Sequence, residues 1–249
     1  MAVKEILAQI AQIAKDNNIH EPYIVGGLPR DKVLGRESDI GDIDLTTGNA
    51  DIVKLAKLTA AHFYKLDNNL KPKQAPDGHF DMKIQGIDFD FSSNKMSPNI
   101  DTILRRAKIK GTPLLKESLS RDFTCNTLLA TLDLKTIKDP TGMGIRDIRR
   151  KLIRTPLPPR ITLRDNPDRI IRAVYLSAKL NFDIEPDIIK WALRNPSYLK
   201  NISESYVRTK LGKGFKFNAA RTVAAMDAMK LWDKIPFVAD MLPYIGERL

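Results

Sequence analysis

The sequence predicts an α/β domain followed by an all-α domain. In residues 1–155, short stretches that alternate apolar and polar residues, as strands do, are separated by stretches with apolar residues three and four apart, as in helices. Three prolines, Pro156, Pro158 and Pro159, then mark a hinge, and the pattern beyond them is almost entirely helical. We therefore expect a mixed sheet with helices over residues 1–155 and a helical domain over residues 156–249.

The individual elements follow from the same patterns. The predicted strands cover residues 23–25, 43–46, 80–84 and 87–91, the last two as a hairpin around Gln85-Gly86. The predicted helices of the first domain cover residues 3–17, a short stretch ending at Leu34, 51–64 and 119–132. Residues 92–118 contain Ser, Asn, Pro and Gly and predict a mobile basic loop with one helical turn. The predicted helices of the second domain cover residues 165–180, 186–194, 203–213 and 218–232.

Composition limits the possible partners and compartments. The net charge is +11, and residues 101–160 alone carry 14 Lys and Arg against 6 Asp and Glu. Such an excess attracts phosphate-rich partners, although it also fits a role in solubility alone. No apolar run approaches the ~20 residues that span a bilayer, and the N-terminus lacks the apolar stretch of a signal peptide. With Cys125 as the single cysteine, we expect a cytoplasmic protein without internal disulfides.

The strongest functional signal lies in the first strand-helix-strand unit. The first strand runs into Gly26 and Gly27, which open the short helix, and the next strand carries Asp42 and Asp44. Glycines let the backbone approach an anionic group, and a helix N-terminus favours negative charge. Asp42 and Asp44 are two apart in a strand, so both carboxylates project to one side, where they could bind Mg²⁺.

Simpler interpretations exist for each part of this signal. A glycine pair is often only a turn, and an Asp-x-Asp pair is often a solvated strand face or a site of nucleotide-sugar transfer. The combination, with Arg30 and Asp31 one turn into the helix, favours nucleotidyl transfer. Asp88 and Asp90 share one face of the second hairpin strand and could add a third carboxylate if that strand pairs beside the first two aspartates.

Arg121, Asp122 and Asn126 form a further candidate cluster, which is predicted to open a helix. Arg121 could bind triphosphate oxygens through its planar donor fork. Asp122 and Asn126 lie one turn apart and could share a sugar hydroxyl or bind each other. The simpler alternative is a helix cap with a salt bridge.

Asn166, Arg169 and Arg172 recur at i, i+3 and i+6 on the predicted helix over residues 165–180. An amide followed by a guanidinium one turn later can read the edge of a base. An amphipathic helix with solvated arginines is the simpler alternative.

Taken together, these segments resemble the class II tRNA nucleotidyltransferases and bacterial poly(A) polymerases. The matching stretches appear in the family's order and are Gly26-Gly27-x-x-Arg30-Asp31, Asp42-Ile-Asp44, Arg121-Asp122-Phe123-Thr124-x-Asn126, Asp139-Pro-Thr-Gly142-x-Gly144-x-x-Asp147 and Asp165 to Arg172. The double glycine indicates class II.

The resemblance implies a polymerase-β-like head over residues 1–155 and a helical neck over residues 156–249 that selects CTP and ATP without a template. The implied reaction adds nucleotides to RNA 3′ ends, foremost the CCA end of tRNA. The implied catalytic residues and Mg²⁺ ligands are Asp42, Asp44 and Asp90, the last preferred to Asp88 because Phe91 and Lys95 follow it at the expected places. The implied nucleotide-binding residues are Gly26, Gly27, Arg30, Arg121, Asp122, Asn126, Asn166, Arg169 and Arg172.

Three departures from the family pattern shape further expectations. Asn166 stands where the family has an acid and Tyr175 where an arginine is usual, so we expect looser nucleotide selection. The sequence ends at Leu249, short of the body and tail helices that grip tRNA in the family, so we expect grip through diffuse basic contacts or a partner protein. The alternatives are a poly(A) polymerase, a transferase that adds only CC or A, and a catalytically silent RNA-binding relative.

Overall fold

The computed structural model describes residues 3–36, 42–66, 70–75, 79–93, 100–106, 108–235 and 238. These residues belong to two compact units, residues 1–145 and residues 146–249. The assignment of a catalytic head to residues 1–155 and a nucleotide-selecting neck to residues 156–249 stays a prediction. No helix in the described ranges is both long and apolar enough to cross a membrane.

The described part of the first unit contains one seven-stranded mixed sheet. Its strands are β1 (Tyr23–Val25), β2 (Asp42–Thr46), β3 (Lys73–Gln74), β4 (Phe80–Ile84), β5 (Ile87–Phe91), β6 (Leu129–Thr131) and β7 (Ile137–Lys138). The helices that accompany it are α1 (Val3–Asp16), α2 (Gly27–Val33), α3 (Asp51–Tyr64), α4 (Ile100–Arg106), α5 (Pro113–Ser120) and α6 (Gly144–Arg149), the last extending past residue 145. The strand order is β3-β4-β5-β2-β1-β6-β7. Because β2 lies between β1 and β5, the strand with the first aspartate pair has the glycine turn on one side and the second aspartate pair on the other.

The hydrophobic core of the first unit lies where α1 and α3 pack against the sheet. Alternation along the strands and helical spacing along α1 and α3 direct their apolar side chains to this core, as the sequence predicts. The fully buried side chains include Ile6, Leu7, Ile10, Ile43, Leu45, Ile52, Leu55, Phe89 and Phe91. The aspartates of β2 and β5 therefore lie on the opposite face of the sheet, away from this core.

The prediction of a loop over residues 92–118 is wrong for the described part of that range, which contains α4 and most of α5. The Thr112 hydroxyl accepts a hydrogen bond from the Leu115 amide at 3.2 Å, and Pro113 occupies the first turn of α5. Threonine followed by proline is a helix-start signal as well as a breaker, and here it begins a helix. Residues 94–99, including Lys95, lie outside the described residues.

The prediction of a helix over residues 119–132 is also wrong. Arg121 terminates α5 in an extended conformation, residues 124–126 form a 3₁₀ turn, and β6 follows. Ala130 pairs with Ile24, and Thr131 pairs with Tyr23, so β6 covers an edge of β1. A short apolar run fits a helix or a strand equally well, and pairing with a distant strand decides between them.

The described part of the second unit is helical apart from two short strands that pair with each other. Its elements are β8 (Leu152–Ile153), α7 (Pro159–Asp165), α8 (Asp168–Leu180), β9 (Asp183–Ile184), α9 (Pro186–Arg194), α10 (Pro196–Leu199), α11 (Glu204–Met229) and α12 (Leu231–Lys234). Asn218 has φ −161° and ψ 96°, which break α11 close to the gap predicted between residues 213 and 218. Asn166 adopts an extended conformation before α8, so the predicted helical start at Asp165 is wrong and Asn166 is not part of the helix.

Candidate active site

The glycine turn lies against the Asp44 carboxylate. β1 ends at Val25, and Gly26 then adopts φ +78° and ψ −129° before α2 begins. Residues other than glycine rarely adopt such a positive φ. A Cβ built on Gly26 would lie 3.4 Å from Cγ of Asp44 and closer still to Oδ2. Glycine at residue 26 therefore permits both the turn and the approach of the aspartate.

Asp44 and Asp90 lie side by side on neighbouring strands. β2 and β5 run parallel, with Asp42 aligned with Asp88 and Asp44 aligned with Asp90. The alternate residues of both strands point into the core, so the four aspartates share the other face. Asp88 is exposed and pairs with Lys83 at 3.2 Å. The structure thus brings the two predicted aspartate pairs together, and Asp90 is the less exposed member of the second pair.

The environment of these carboxylates disfavours their ionised forms. Desolvation raises the pKa of Asp42, and the charge of Asp88 raises it further. Desolvation also raises the pKa of Asp90, while a hydrogen bond with Ser92 and the charge of Arg121 oppose that shift. Acids that are partly desolvated and repel one another are stabilised by a bound cation, which contributes the largest local charge in such a site.

The donor set fits a divalent cation that also binds substrate phosphates. Oδ1 of Asp90 is buried and has no hydrogen-bond partner among the described residues, which is costly unless another group binds it. In the same part of the chain, no group of three or more His, Cys, Asp or Glu side chains could hold a metal ion. Mg²⁺ commonly takes only one or two carboxylates and completes its shell with waters and phosphate oxygens. Asp44 and Asp90, with Asp42 beside them, suit a site of that kind.

Arg30 is the centre of a buried network, with only 3% of its surface exposed. Its Nε and Nη2 donate to the two carboxylate oxygens of Asp31 at 2.8 and 2.9 Å, and its Nη1 donates to Oδ1 of Asn126 at 2.8 Å. Nδ2 of Asn126 donates to Oδ1 of Asp122 at 3.0 Å, so these two bind each other, one of the two possibilities left open by the sequence. A Cβ on Gly27 would lie 3.2 Å from Nη2 of Arg30. The network therefore ties the start of α2 to the 3₁₀ turn.

Arg121 pairs with a buried glutamate that no sequence motif indicates. Nη2 of Arg121 donates to Oε1 of Glu117 at 2.6 Å, and the Ser93 hydroxyl donates to Oε2 at 3.2 Å. Glu117 is fully buried. The i, i+4 spacing of Glu117 and Arg121 is the sequence signal for this pair, but such a spacing has meaning only on a helix, and the sequence predicts a loop there.

The Asp139-to-Gly144 motif has a structural role. Oδ1 of Asp139 accepts from the Thr141 hydroxyl at 3.0 Å, and Oδ2 accepts from the Ile145 amide at 3.0 Å. A Cβ on Gly144 would lie 2.7 Å from Cδ2 of Leu128, which leaves no room for a side chain. These residues fix the turn before α6 and pack it closely.

Asn166, Arg169 and Arg172 lie in the second unit. Asn166 is exposed, and its Oδ1 accepts a hydrogen bond from the Asp168 amide at 3.1 Å. This contact pairs the amide of the first residue of α8, whose N-cap is Pro167. Arg169 and Arg172 lie on α8 and are partly exposed. The base-reading role of all three stays a prediction.

Comparisons with known proteins extend these observations. The family profile described as "Poly A polymerase head domain" matches residues 22–154. The tRNA nucleotidyltransferase cca1 of Schizosaccharomyces pombe is 32% identical over 79% of this chain and 41% of its own length. Poly(A) polymerase I of Salmonella typhi is 28% identical over 79% of this chain and 43% of its own. The crystal structure of the Bacillus stearothermophilus CCA-adding enzyme in complex with CTP superposes with a TM-score of 0.72, at 25% identity, over 96% of this chain and 55% of that one. This chain thus spans about half the length of these proteins, and the predicted fold class is confirmed.

Proposed function

Because the chain belongs to the poly A polymerase head-domain family, we propose that it transfers nucleotides from CTP and ATP, without a template, to RNA 3′ ends. The proposed RNA is a tRNA that lacks all or part of its CCA end. The names of the S. pombe and B. stearothermophilus proteins support this substrate. The proposed compartment is the cytoplasm, which fractionation of cells expressing the tagged chain would test.

The observation that carries the proposal is the alignment of Asp44 with Asp90 across parallel strands, beside the turn at Gly26. In the proposed reaction the RNA 3′-oxygen bonds to the α-phosphorus of the nucleotide, the bond from that phosphorus to the bridging oxygen breaks, and pyrophosphate leaves. The hydroxyl proton needs an acceptor. A carboxylate whose pKa is raised by burial, as for Asp90, is a better base than an ordinary one.

The proposed cofactor is Mg²⁺, bound by Asp44 and Asp90 together with phosphate oxygens and waters, with Asp42 beside them. When bound, it would neutralise charge on the triphosphate and favour ionisation of the 3′-hydroxyl. Gly26 leaves space for the carboxylate of Asp44 beside the turn. Asp90 offers a buried oxygen without a hydrogen-bond partner in the described chain, where a cation would restore the lost interaction.

The proposed triphosphate ligand among the arginines is Arg121, since its charge acts on Asp90 and Glu117 fixes its position. Arg30 has donors on all three nitrogens engaged with Asp31 and Asn126. We therefore assign it the indirect role of holding α2, and with it the glycine turn.

We propose that Asn166, Arg169 and Arg172, which all lie in the second unit, read the base. Their amide and guanidinium groups supply the donors and acceptors that this reading requires.

The decisive experiment incubates the chain with tRNA lacking its CCA end, with each NTP singly and in pairs, and sequences the RNA 3′ ends. Addition of two C residues and then A supports the proposal. Long runs of A would instead establish a poly(A) polymerase, which the similarity to the Salmonella enzyme makes the second candidate. Asp44→Asn is the control and should lower the rate by at least ~10³-fold, since metal binding and positioning together supply several kcal/mol. RNA binding without any extension would identify a catalytically silent relative.

A further inference from the structure

Three aromatic rings and two lysines of the second unit are adjacent on α8 and α11. We call this group the aromatic–lysine patch, and its members are Tyr175, Lys179, Tyr206, Lys210 and Phe217. The rings of Tyr175 and Phe217 have centroids 6.1 Å apart at an interplanar angle of 58°. Nζ of Lys210 lies 5.5 Å from the Tyr175 centroid and 5.6 Å from the Tyr206 centroid, and Nζ of Lys179 lies 5.9 Å from the Phe217 centroid.

The spacing along each helix explains how the patch forms. Tyr175 and Lys179 are four residues apart on α8 and therefore share a face. Tyr206, Lys210 and Phe217 follow at i, i+4 and i+11, which also places them on one face of α11. The two faces meet because α8 and α11 pack against each other.

Two features of α11 bring Phe217 to the surface beside Tyr175. A Cβ on Gly214 would lie 3.8 Å from Cα of Tyr175, so the glycine allows the two helix backbones to approach closely. Asn218 then leaves the helical conformation, and its Oδ1 accepts from the Arg221 amide at 3.0 Å, which starts the next helical stretch. Phe217 is the last residue before this break, and 54% of its surface is exposed.

Packing between the helices does not account for the exposed part of the patch. The contact between α8 and α11 is supported by buried side chains that include Ile171, Val174, Val207, Leu211 and Met226. An exposed apolar residue by itself is common on protein surfaces. Phe217, however, is part of a group that alternates aromatic faces with ammonium groups, and this alternation matches a single nucleic-acid strand, whose bases stack on rings and whose phosphates attract cations.

We propose that the aromatic–lysine patch is a binding site for single-stranded RNA, in which a base stacks on Phe217 and the lysines contact the phosphates. This binding requires neither nucleoside triphosphate nor metal, so it can be measured separately from the proposed transfer reaction. The positive charge of the chain beyond residue 100 favours the same partner.

The test measures binding of a fluorescein-labelled single-stranded oligoadenylate to the full chain by anisotropy, in EDTA and without nucleotides. Phe217→Ala should weaken binding at least about five-fold, because stacking of one base contributes roughly 1 kcal/mol or more. Phe217→Trp should bind as well as the unchanged protein, since tryptophan retains a ring face. Tyr64→Ala is the matched control, because Tyr64 is an equally exposed aromatic residue of the first unit, and it should not change binding.

Two further measurements separate stacking from charge and from packing. Phe217→Leu keeps an apolar side chain at the helix break but has no ring, so a loss equal to that of Phe217→Ala supports stacking, whereas full affinity overturns the proposal. Lys210→Gln should reduce the slope of log affinity against log salt by about 0.7, the value for one phosphate contact on a single strand. Equal affinity for a duplex of the same phosphate count would also overturn the proposal, because it would mean binding by charge alone. All these outcomes leave the proposed transfer reaction untouched, since no NTP is present.

Discussion

Gly26 and Asp44 approach each other so closely that residue 26 has no room for a side chain. The positive φ of Gly26 brings the backbone of the turn under the Asp44 carboxylate, and a Cβ there would lie well inside van der Waals contact with Oδ2. The position of the Asp44 carboxylate is therefore possible only because residue 26, at the end of the neighbouring strand β1, has no side chain.

We predict that Gly26→Ala abolishes most of the activity. Alanine would be strained at φ +78° and would displace Asp44, and a displacement of about 1 Å in an active site can cost ~10²-fold in rate. Gly35→Ala is the matched control, because Gly35 has φ +67° but nothing within 4 Å of an added Cβ. Both variants should lose roughly 1–2 kcal/mol of stability from the backbone strain alone. Rate assays and thermal melts on both variants test this, and equal loss of activity in the two would contradict it.

The aspartate face should lower stability when no cation is bound. The pKa of Asp42 is raised on folding from its ordinary value of 3.8. A raised pKa means that the stabilising contribution is complete below the unfolded pKa and is lost as the pH rises through the folded pKa. At neutral pH the ionised Asp42 therefore opposes folding. We predict that Asp42→Asn raises the midpoint of thermal unfolding at neutral pH in EDTA and has little effect below pH ~3.8.

Addition of Mg²⁺ provides the second arm of that test. A ligand that binds only the folded protein raises its apparent stability. Excess Mg²⁺ should therefore raise the unfolding midpoint of the unchanged protein at neutral pH more than that of Asp42→Asn. If Asp42→Asn instead lowers the midpoint in EDTA, the carboxylate stabilises the fold and the interpretation of this face as a cation site is weakened.

The sequence predicts the aspartate face well because its signals are local. Alternation along β2 and β5 is enough to place Asp42 with Asp44 and Asp88 with Asp90 on single faces. The pairing of β2 with β5 depends on the whole sheet. Both strands nevertheless join the same core, because each carries an apolar face. For the same reason α1 and α3 have the predicted bounds to within one residue.

The parts that the sequence does not predict depend on distant contacts. β6 is a strand because it pairs with β1, about 100 residues earlier in the chain. The partner of Arg30 across the network, Asn126, is similarly distant in the sequence, so the motif alone does not reveal the hydrogen bond between them. The sequence does not indicate Glu117, because its i, i+4 spacing to Arg121 is informative only within a helix. That helix begins at Thr112-Pro113, a pair of residues that is also typical of a loop.

We predict that Glu117 acts by positioning Arg121. Glu117→Ala would leave the guanidinium without its buried partner and should destabilise the protein by about 3 kcal/mol or more. Glu117→Gln preserves an acceptor for Arg121 but removes the charge, so the protein should fold while the KM for the nucleotide rises about ten-fold, since charge-assisted hydrogen bonds are roughly twice as strong as neutral ones. Steady-state kinetics on Glu117→Gln measure this effect. An unchanged KM would mean that Glu117 serves only the fold.

Arg30→Lys should distinguish a structural role of Arg30 from direct phosphate binding. A lysine cannot reproduce the two parallel hydrogen bonds to Asp31 together with the one to Asn126. We expect a loss of roughly 2–3 kcal/mol in the free energy of unfolding, measured with denaturant, because a buried network is broken. Arg36→Lys is the control, because Arg36 is exposed, and it should change stability by less than about 0.5 kcal/mol. A large rise in the nucleotide KM with unchanged stability would instead favour direct contact with the triphosphate.

The last prediction concerns nucleotide selection by Asn166. An amide is a weaker acceptor than a carboxylate, since hydrogen bonds to a charged acceptor are roughly twice as strong, so selection through Asn166 should be loose. We predict that Asn166→Asp increases the preference for CTP and ATP over UTP and GTP by roughly ten-fold, equivalent to about 1.4 kcal/mol. The substitution should leave the fold intact, because a carboxylate oxygen of aspartate can accept the same hydrogen bond from the Asp168 amide. Asn201→Asp adds the same charge to an exposed position of the second unit and controls for the general effect of charge. Competition assays with pairs of NTPs on tRNA lacking its CCA end give the ratio directly. If the unchanged protein already rejects UTP and GTP as strongly as Asn166→Asp does, Asn166 does not set the selection, and the residues on α8, Arg169 and Arg172, become the positions to test.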